Sequence, residues 1–175
     1  MYKFMILIFL SGILNATMFS LQTGEIKAHT EIFGDSGIDP KTTTISSKLM
    51  MEEGVESLKG TISFKTLSLK SEEEDRDENM YESMNSELHK SVSFYILRVE
   101  KLENNYEIHG YIVLNGVKKE IKSMATIVKI EDSLRVSGTF SIKMSDFSIE
   151  PPTLLFLSVR DQVDITYNLN YKDKQ

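Results

Sequence analysis

Leu134-Arg-Val-Ser-Gly-Thr-Phe-Ser-Ile-Lys-Met144 is the stretch that decides the fold. Counting from Leu134, every second residue is apolar or glycine: Leu134, Val136, Gly138, Phe140, Ile142 and Met144. Arg135, Ser137, Thr139, Ser141 and Lys143 stand between them. An unbroken period of two gives a strand with one dry face and one wet face. At about 3.3 Å per residue it spans roughly 35 Å. Long twisted strands suit a closed barrel of tilted strands better than a small flat sheet. The dry face should then line the inside of the barrel, and the inside is where function is expected.

The same alternation extends outward in both directions. Towards the C-terminus, Val163, Ile165, Tyr167, Leu169 and Tyr171 share one parity. Before the central stretch, Val117 to Ile130 reads as a strand that turns at Glu131-Asp-Ser133. Tyr106, Ile108, Gly110, Ile112 and Leu114 form its hairpin partner, joined through Asn115-Gly116. That dipeptide is a strong hairpin signal, because both central residues of a type I′ turn need positive φ. From Ser91, Val92, Phe94 and Ile96 share one face and Tyr95, Leu97 and Val99 the other. Apolar residues on both faces predict that this strand is covered outside, by the helix. Further strands follow from Leu58-Gly60-Ile62-Phe64, from Ile45-Leu49-Met51 and from Ile26-Ala28-Thr30-Ile32. The expected fold is all-β: a single antiparallel barrel of about eight strands with one helix.

The period changes once. Ser71-Glu-Glu-Glu74 has the form of a capping box, with acidic residues crowding the first turn. Met80, Met84 and Leu88 recur on one face, and His89 and Lys90 close the segment. Two other segments break the strand pattern. Asp35-Ser-Gly-Ile-Asp-Pro40 reads as a plain turn that lacks the closing Glu of a calcium loop. Asp146 to Pro152 is irregular, and Leu154 to Leu157 is expected to be a helical turn or a wedge into one end of the barrel. Gly60, Gly110 and Gly138 each precede two bulky residues of the inward parity. They predict barrel corners, and they could also leave volume free inside.

Composition narrows the function classes. The chain has 175 residues, net charge −6 and pI about 5.2. No basic stripe is interleaved with aromatics, so nucleic acid is not an expected partner. The absence of cysteine excludes disulfides, a thiolate nucleophile and a cysteine-based zinc site. His29, His89 and His109 are scattered, so no metal is expected. Lys3 followed by the apolar run Phe4 to Leu14 fits an export leader. The run is shorter than the roughly 20 residues a membrane span needs. Cleavage after Ala16 or Ser20 is expected, giving a leader over 1–20, a domain over 21–175, and a periplasmic or secreted protein.

From Arg76 to Ile165 the chain resembles the YceI-like family of secreted, lipocalin-like barrels. The residues that carry the resemblance are Arg76-Asp77-x-x-Met80 and Gly110-x-Ile112-x-Leu114-Asn115-Gly116-Val117-x-Lys119. Gly138-x-Phe140-x-Ile142, Ser145-Asp146-Phe147-Ser148-Ile149 and Val159-x-Asp161-x-Val163-x-Ile165 complete the set. The family often has glycine where Ser148 stands. The resemblance implies an eight-stranded barrel with an elongated apolar tunnel that holds isoprenoid chains, such as quinone or polyprenyl tails.

Catalysis finds no support. The acids and histidines are unclustered, and neither Gly-x-Ser-x-Gly nor His-Glu-x-x-His occurs. No catalytic residue and no cofactor are expected. Arg76-Asp77 reads first as a helix-surface pair and second as a head-group contact. Asp146 should hold its own loop, and His109 should point outward. The expected lumen residues are Ile62, Phe64, Phe94, Ile108, Ile112, Phe140, Ile142 and Ile165, with Met80 and Met84 as a pliable lid. The expected partner is an isoprenoid or other long-chain lipid, with transient contact at a membrane surface. The alternative is a filled barrel that serves as a structural or interaction module.

Overall fold

The computed structural model describes residues 16–32, 35–154 and 157–174. The expected leader core, Phe4 to Leu14, lies outside them. In chain order the strands are β1 (Thr17–Ile32), β2 (Asp35–Ile38), β3 (Lys41–Thr42), β4 (Ile45–Met51), β5 (Lys59–Lys65) and β6 (Ser91–Lys101). They continue as β7 (Tyr106–Leu114), β8 (Val117–Ile130), β9 (Ser133–Lys143), β10 (Thr153–Leu154), β11 (Leu157–Ser158) and β12 (Gln162–Asp173). The helix α1 is Glu74–Ser83. Eight strands form a closed antiparallel wall in the order β1-β4-β5-β6-β7-β8-β9-β12, and β12 pairs back onto β1. Closure pairs the first and last strands of that wall.

The central strand behaves as its alternation requires. β9 pairs with β8 on one side and β12 on the other, and Leu134, Val136 and Ile142 turn inward and are buried. The Asn115-Gly116 turn has φ of 48° and 72°, as a type I′ hairpin demands. β1 begins at Thr17, inside the segment expected as leader, and Phe19 is only 3% exposed. Its ladder with β4 has three residue pairs, Thr17↔Met51 to Phe19↔Leu49. Beyond that point β3 and β2 fold back along β1 instead.

Several local expectations change. A bulge between Ile96 and Arg98 makes Leu97 an extra residue in β6. The bulge shifts the parity, so Val99 is buried inside rather than sharing the outer face with Tyr95. Leu97 stays 55% exposed, and α1 lies across the end of the barrel rather than over β6. The capping box does not form. Glu73 is the N-cap with no side-chain bond. Ser71 N–H donates instead to Asp77 Oδ1 at 2.7 Å. The helix ends at Ser83, and Asn85 takes a positive φ, so Leu88 is carried out to solvent. Thr153–Leu154 and Leu157–Ser158 pair as a small ribbon rather than a helical turn.

The glycines answer to crowding, not to vacancy. A Cβ at Gly60, Gly110 or Gly138 would press on the carbonyl oxygen of Lys48, Tyr95 or Met124 of the neighbouring strand. The space beside Gly138 is taken by the Tyr167 ring, and that beside Gly110 by Phe94. These are corners where strands approach closely.

Candidate functional site

The two ends of the barrel are built differently. At one end Phe19, Leu49, Leu58, Leu134 and Tyr171 pack solid, with Leu49 and Leu58 fully buried. Two tyrosines on β12 tie the interior together, Tyr171 in this end and Tyr167 towards the other. Tyr171 Oη lies 3.0 Å from Ser47 Oγ, which donates to Thr61 O at 3.3 Å. Tyr167 Oη lies 2.8 Å from Ser123 Oγ, which donates to Thr139 O at 3.1 Å. Each serine hydroxyl spends its proton on the carbonyl, so each tyrosine donates to its serine. Burial pushes both phenols above their ordinary pKa, so they stay neutral donors.

The other end is hollow. A cavity of about 1210 Å³ opens there, above the usual 300–1,000 Å³ range of small-ligand pockets. Ile62 and Phe64 reach it from β5, Phe94 from β6, Ile108 and Ile112 from β7, Phe140 and Ile142 from β9, and Ile165 from β12. Met80 of α1 and Met84, the residue that caps its C-terminal end, border it. Every residue expected on the lumen wall thus lies on one cavity. Phe64, Phe94, Phe140 and Ile165 point inward yet are only half-buried, because they face open space. Phe94 and Phe140 stack with ring centroids 6.0 Å apart, and Tyr167 continues the aromatic wall 6.4 Å from Phe140. None of Phe19, Leu49, Leu58, Leu134 or Tyr171 reaches the cavity. The interior is therefore an elongated apolar cavity closed at one end, a cup with a floor at Val136 and Leu169.

The lip has three parts: α1, the segment 148–153, and Ile38 with Pro40. Asn115 holds two barrel-end segments at once. Its Nδ2 donates to Phe147 O at 3.0 Å, and its Oδ1 accepts from Asn85 Nδ2 at 3.0 Å, just beyond α1. The loop after β9 is held by Asp161, not by Asp146. Asp161 accepts from Ser145 N–H at 2.8 Å and Ser145 Oγ at 2.7 Å, and these bonds lower its pKa. Asp146 faces solvent near Lys119. Asp77 is buried, 3.7 Å from Lys70 Nζ, so the Arg76-Asp77 pair divides: Asp77 anchors the segment before the helix and Arg76 borders the cavity.

Ile26, Ala28 and Thr30 of β1 also line the cup, as do Ile38, Pro40 and Tyr167. The alternation of β1 and β12 marks Ile26, Ala28, Thr30 and Tyr167 as inward. Pro40 lies in a turn, and no periodic signal marks it. His109 points outward, as its parity requires. Its Nε2 sits 2.7 Å from Glu107 Oε1 and 3.2 Å from Glu100 Oε2, out of line for a hydrogen bond. Arg98 and Lys122 already pair with these carboxylates, and Arg98 Nη2 lies 3.1 Å from His109 Nδ1. Charge in this group is balanced by its own cations, and it lies on the wall opposite in sense to the cavity.

A closed antiparallel barrel with an apolar cup at one end defines a class of small-molecule-binding barrels. The YceI-like domain family matches residues 17–171, and the chain belongs to that family. Comparison with solved structures gives the same fold. BcnA of Burkholderia cenocepacia superposes with TM-score 0.74 at 12% identity, covering 84% of this chain and 95% of its own. A polyisoprenoid binding domain from Saccharophagus degradans, implicated in plant cell wall breakdown, gives 0.72 at 11% identity, covering 89% and 98%. The Campylobacter jejuni YceI protein gives 0.61 at 18% identity, covering 99% and 92%. A comparison with curated protein sequences returned no match.

Proposed function

We propose that this protein binds a long apolar lipid of the isoprenoid class, tail inward, in the cup, and carries or sequesters it in the cell envelope. The observation that carries this is the cavity itself: Phe64, Phe94, Phe140 and Ile165 face inward yet stay only half-buried. A prenyl tail gains about 0.8 kcal/mol per buried carbon group, or roughly 3 to 4 kcal/mol gross per five-carbon unit. Ordering costs reduce the sum, yet a few units suffice without a polar anchor. Membership of the YceI-like family and the description of the Saccharophagus degradans neighbour as a polyisoprenoid binding domain support the choice of lipid. The same features favour binding over catalysis, since among the described residues no nucleophile and base converge on the cavity wall.

Organic extraction of purified protein followed by mass spectrometry should recover an isoprenoid lipid. Ala28→Phe adds bulk to the open cup from a strand already in place. It should weaken uptake of a fluorescent prenyl probe at least about tenfold while the melting temperature stays within a few degrees. Unchanged uptake by that variant would sink the proposal.

Export is part of the same proposal. What supports cleavage after Ala16, rather than after Ser20, is that Phe19 is buried and paired with Asp173 and Leu49. The intact mass of the exported protein should begin at Thr17; a start at Leu21 would mean that the barrel closes without Phe19.

A further inference from the structure

Because the floor is closed, a lipid enters tail first and its head comes to rest at the lip. The lip is unevenly charged. Among the described residues, Asp75, Asp77, Glu82 and Glu150 are the acids on the cavity lining, and Arg76 is the one base. Asp77 is occupied by Ser71 and Lys70. Asp75, Glu82 and Glu150 are exposed. Of the cations outside the lining, Lys119 pairs with Asp146 and Arg160 with Asp164. Arg76 is half-buried and has no ion pair or side-chain hydrogen bond among the described residues.

A head group at this lip therefore meets one free guanidinium within a ring of carboxylates. A hydroxyl or a quinone or amide carbonyl can accept from Arg76 without repulsion. A phosphate or diphosphate would gain the same donor but would meet uncompensated like charge from the lip carboxylates, a repulsion that salt screens.

We propose that the cup selects lipids with an uncharged, hydrogen-bond-accepting head and rejects lipid phosphates, with Arg76 as the donor and Asp75, Glu82 and Glu150 as the excluding charges. This rests on the isoprenoid reading above and narrows it. The test compares geranylgeraniol with geranylgeranyl diphosphate, which share one tail, by displacement of a fluorescent prenyl probe. The alcohol should bind at least about tenfold more tightly at low salt, and the gap should narrow as salt rises. Exchanging two exposed acids, Glu82→Lys with Glu150→Lys, should close or reverse the gap. Arg76→Gln should weaken the alcohol about fivefold, the loss of one hydrogen bond of about 1 kcal/mol. Equal or tighter binding of the diphosphate to the unmodified protein overturns the head-group selection and leaves the isoprenoid reading standing. Binding of neither lipid overturns both.

Discussion

At the scale of single residues, glycine is favoured at Ser148 by backbone conformation and required at Gly138 by crowding. Ser148 sits at φ 56° and ψ 33°, a left-handed conformation that favours glycine. The strain costs a non-glycine residue on the order of 1 kcal/mol, and the extra unfolded-state freedom of glycine offsets part of the relief. Ser148→Gly should therefore raise stability by about 0.5 kcal/mol, read from the urea midpoint. Gly138→Ala should do the opposite. Its Cβ would press on Met124 O and on the Tyr167 hydroxyl, so a loss of about 1 to 3 kcal/mol is expected. Both effects were half-legible in sequence. Alternation placed Gly138 on the inward face, but only the neighbouring strand shows that the space beside it is full.

Elements around the lip add a pH dependence. His29 on β1 lies 2.7 Å from Asp39 Oδ1 through Nδ1 and 3.4 Å from Glu31 through Nε2, while Lys27 reaches Asp39 at 3.2 Å. The Asp39 hydrogen bond raises the His29 pKa above its ordinary 6.5, and His29 in turn lowers that of Asp39 below its ordinary 3.8. The histidine contribution is full below pH 6.5 and fades as pH rises through the raised value. The aspartate contribution is present above pH 3.8 and fades as pH falls through the lowered one. The contact should thus hold best between about pH 4 and 6.5. It pins Asp39 beside Pro40, which lines the lip. The difference in urea midpoint between the protein and His29→Gln should be largest near pH 5 to 6 and should fade as pH rises through the raised histidine pKa; a difference independent of pH would show that the contact is not ionic. Solvent screening keeps the effect small, since both side chains are well exposed.

For the whole molecule, a closed floor predicts a limit on chain length. If each heavy atom takes about 30 Å³, water's share of liquid volume, the cup holds about 40 of them, or about eight five-carbon units. Affinity in a prenol series should climb with length and level off near that point, as measured by probe displacement. A continued rise well beyond it would mean that the tail passes through the barrel.

What the chain determines by itself is the set of inward residues on each strand, because a period of two follows directly from backbone pleating. Leu134 to Met144 alone is enough to indicate a two-faced strand, and the parity of β5, β7, β9 and β12 places the wall of the cup. A bulge escapes such reasoning, since one inserted residue leaves no mark on composition while it reverses parity, as at Leu97 and Val99. The helix likewise has its ends set by side-chain partners outside it: Asp77 with Ser71 and Lys70 just before it, and Asn85 with Asn115, remote in sequence. Only the tertiary structure decided which inward residues meet one another and which face a void. Leu134 and Phe140 belong to one alternating series, yet one is packed and the other lines open space. Filling depends on the side chains that approach from the far side of the barrel, and no single strand carries that information.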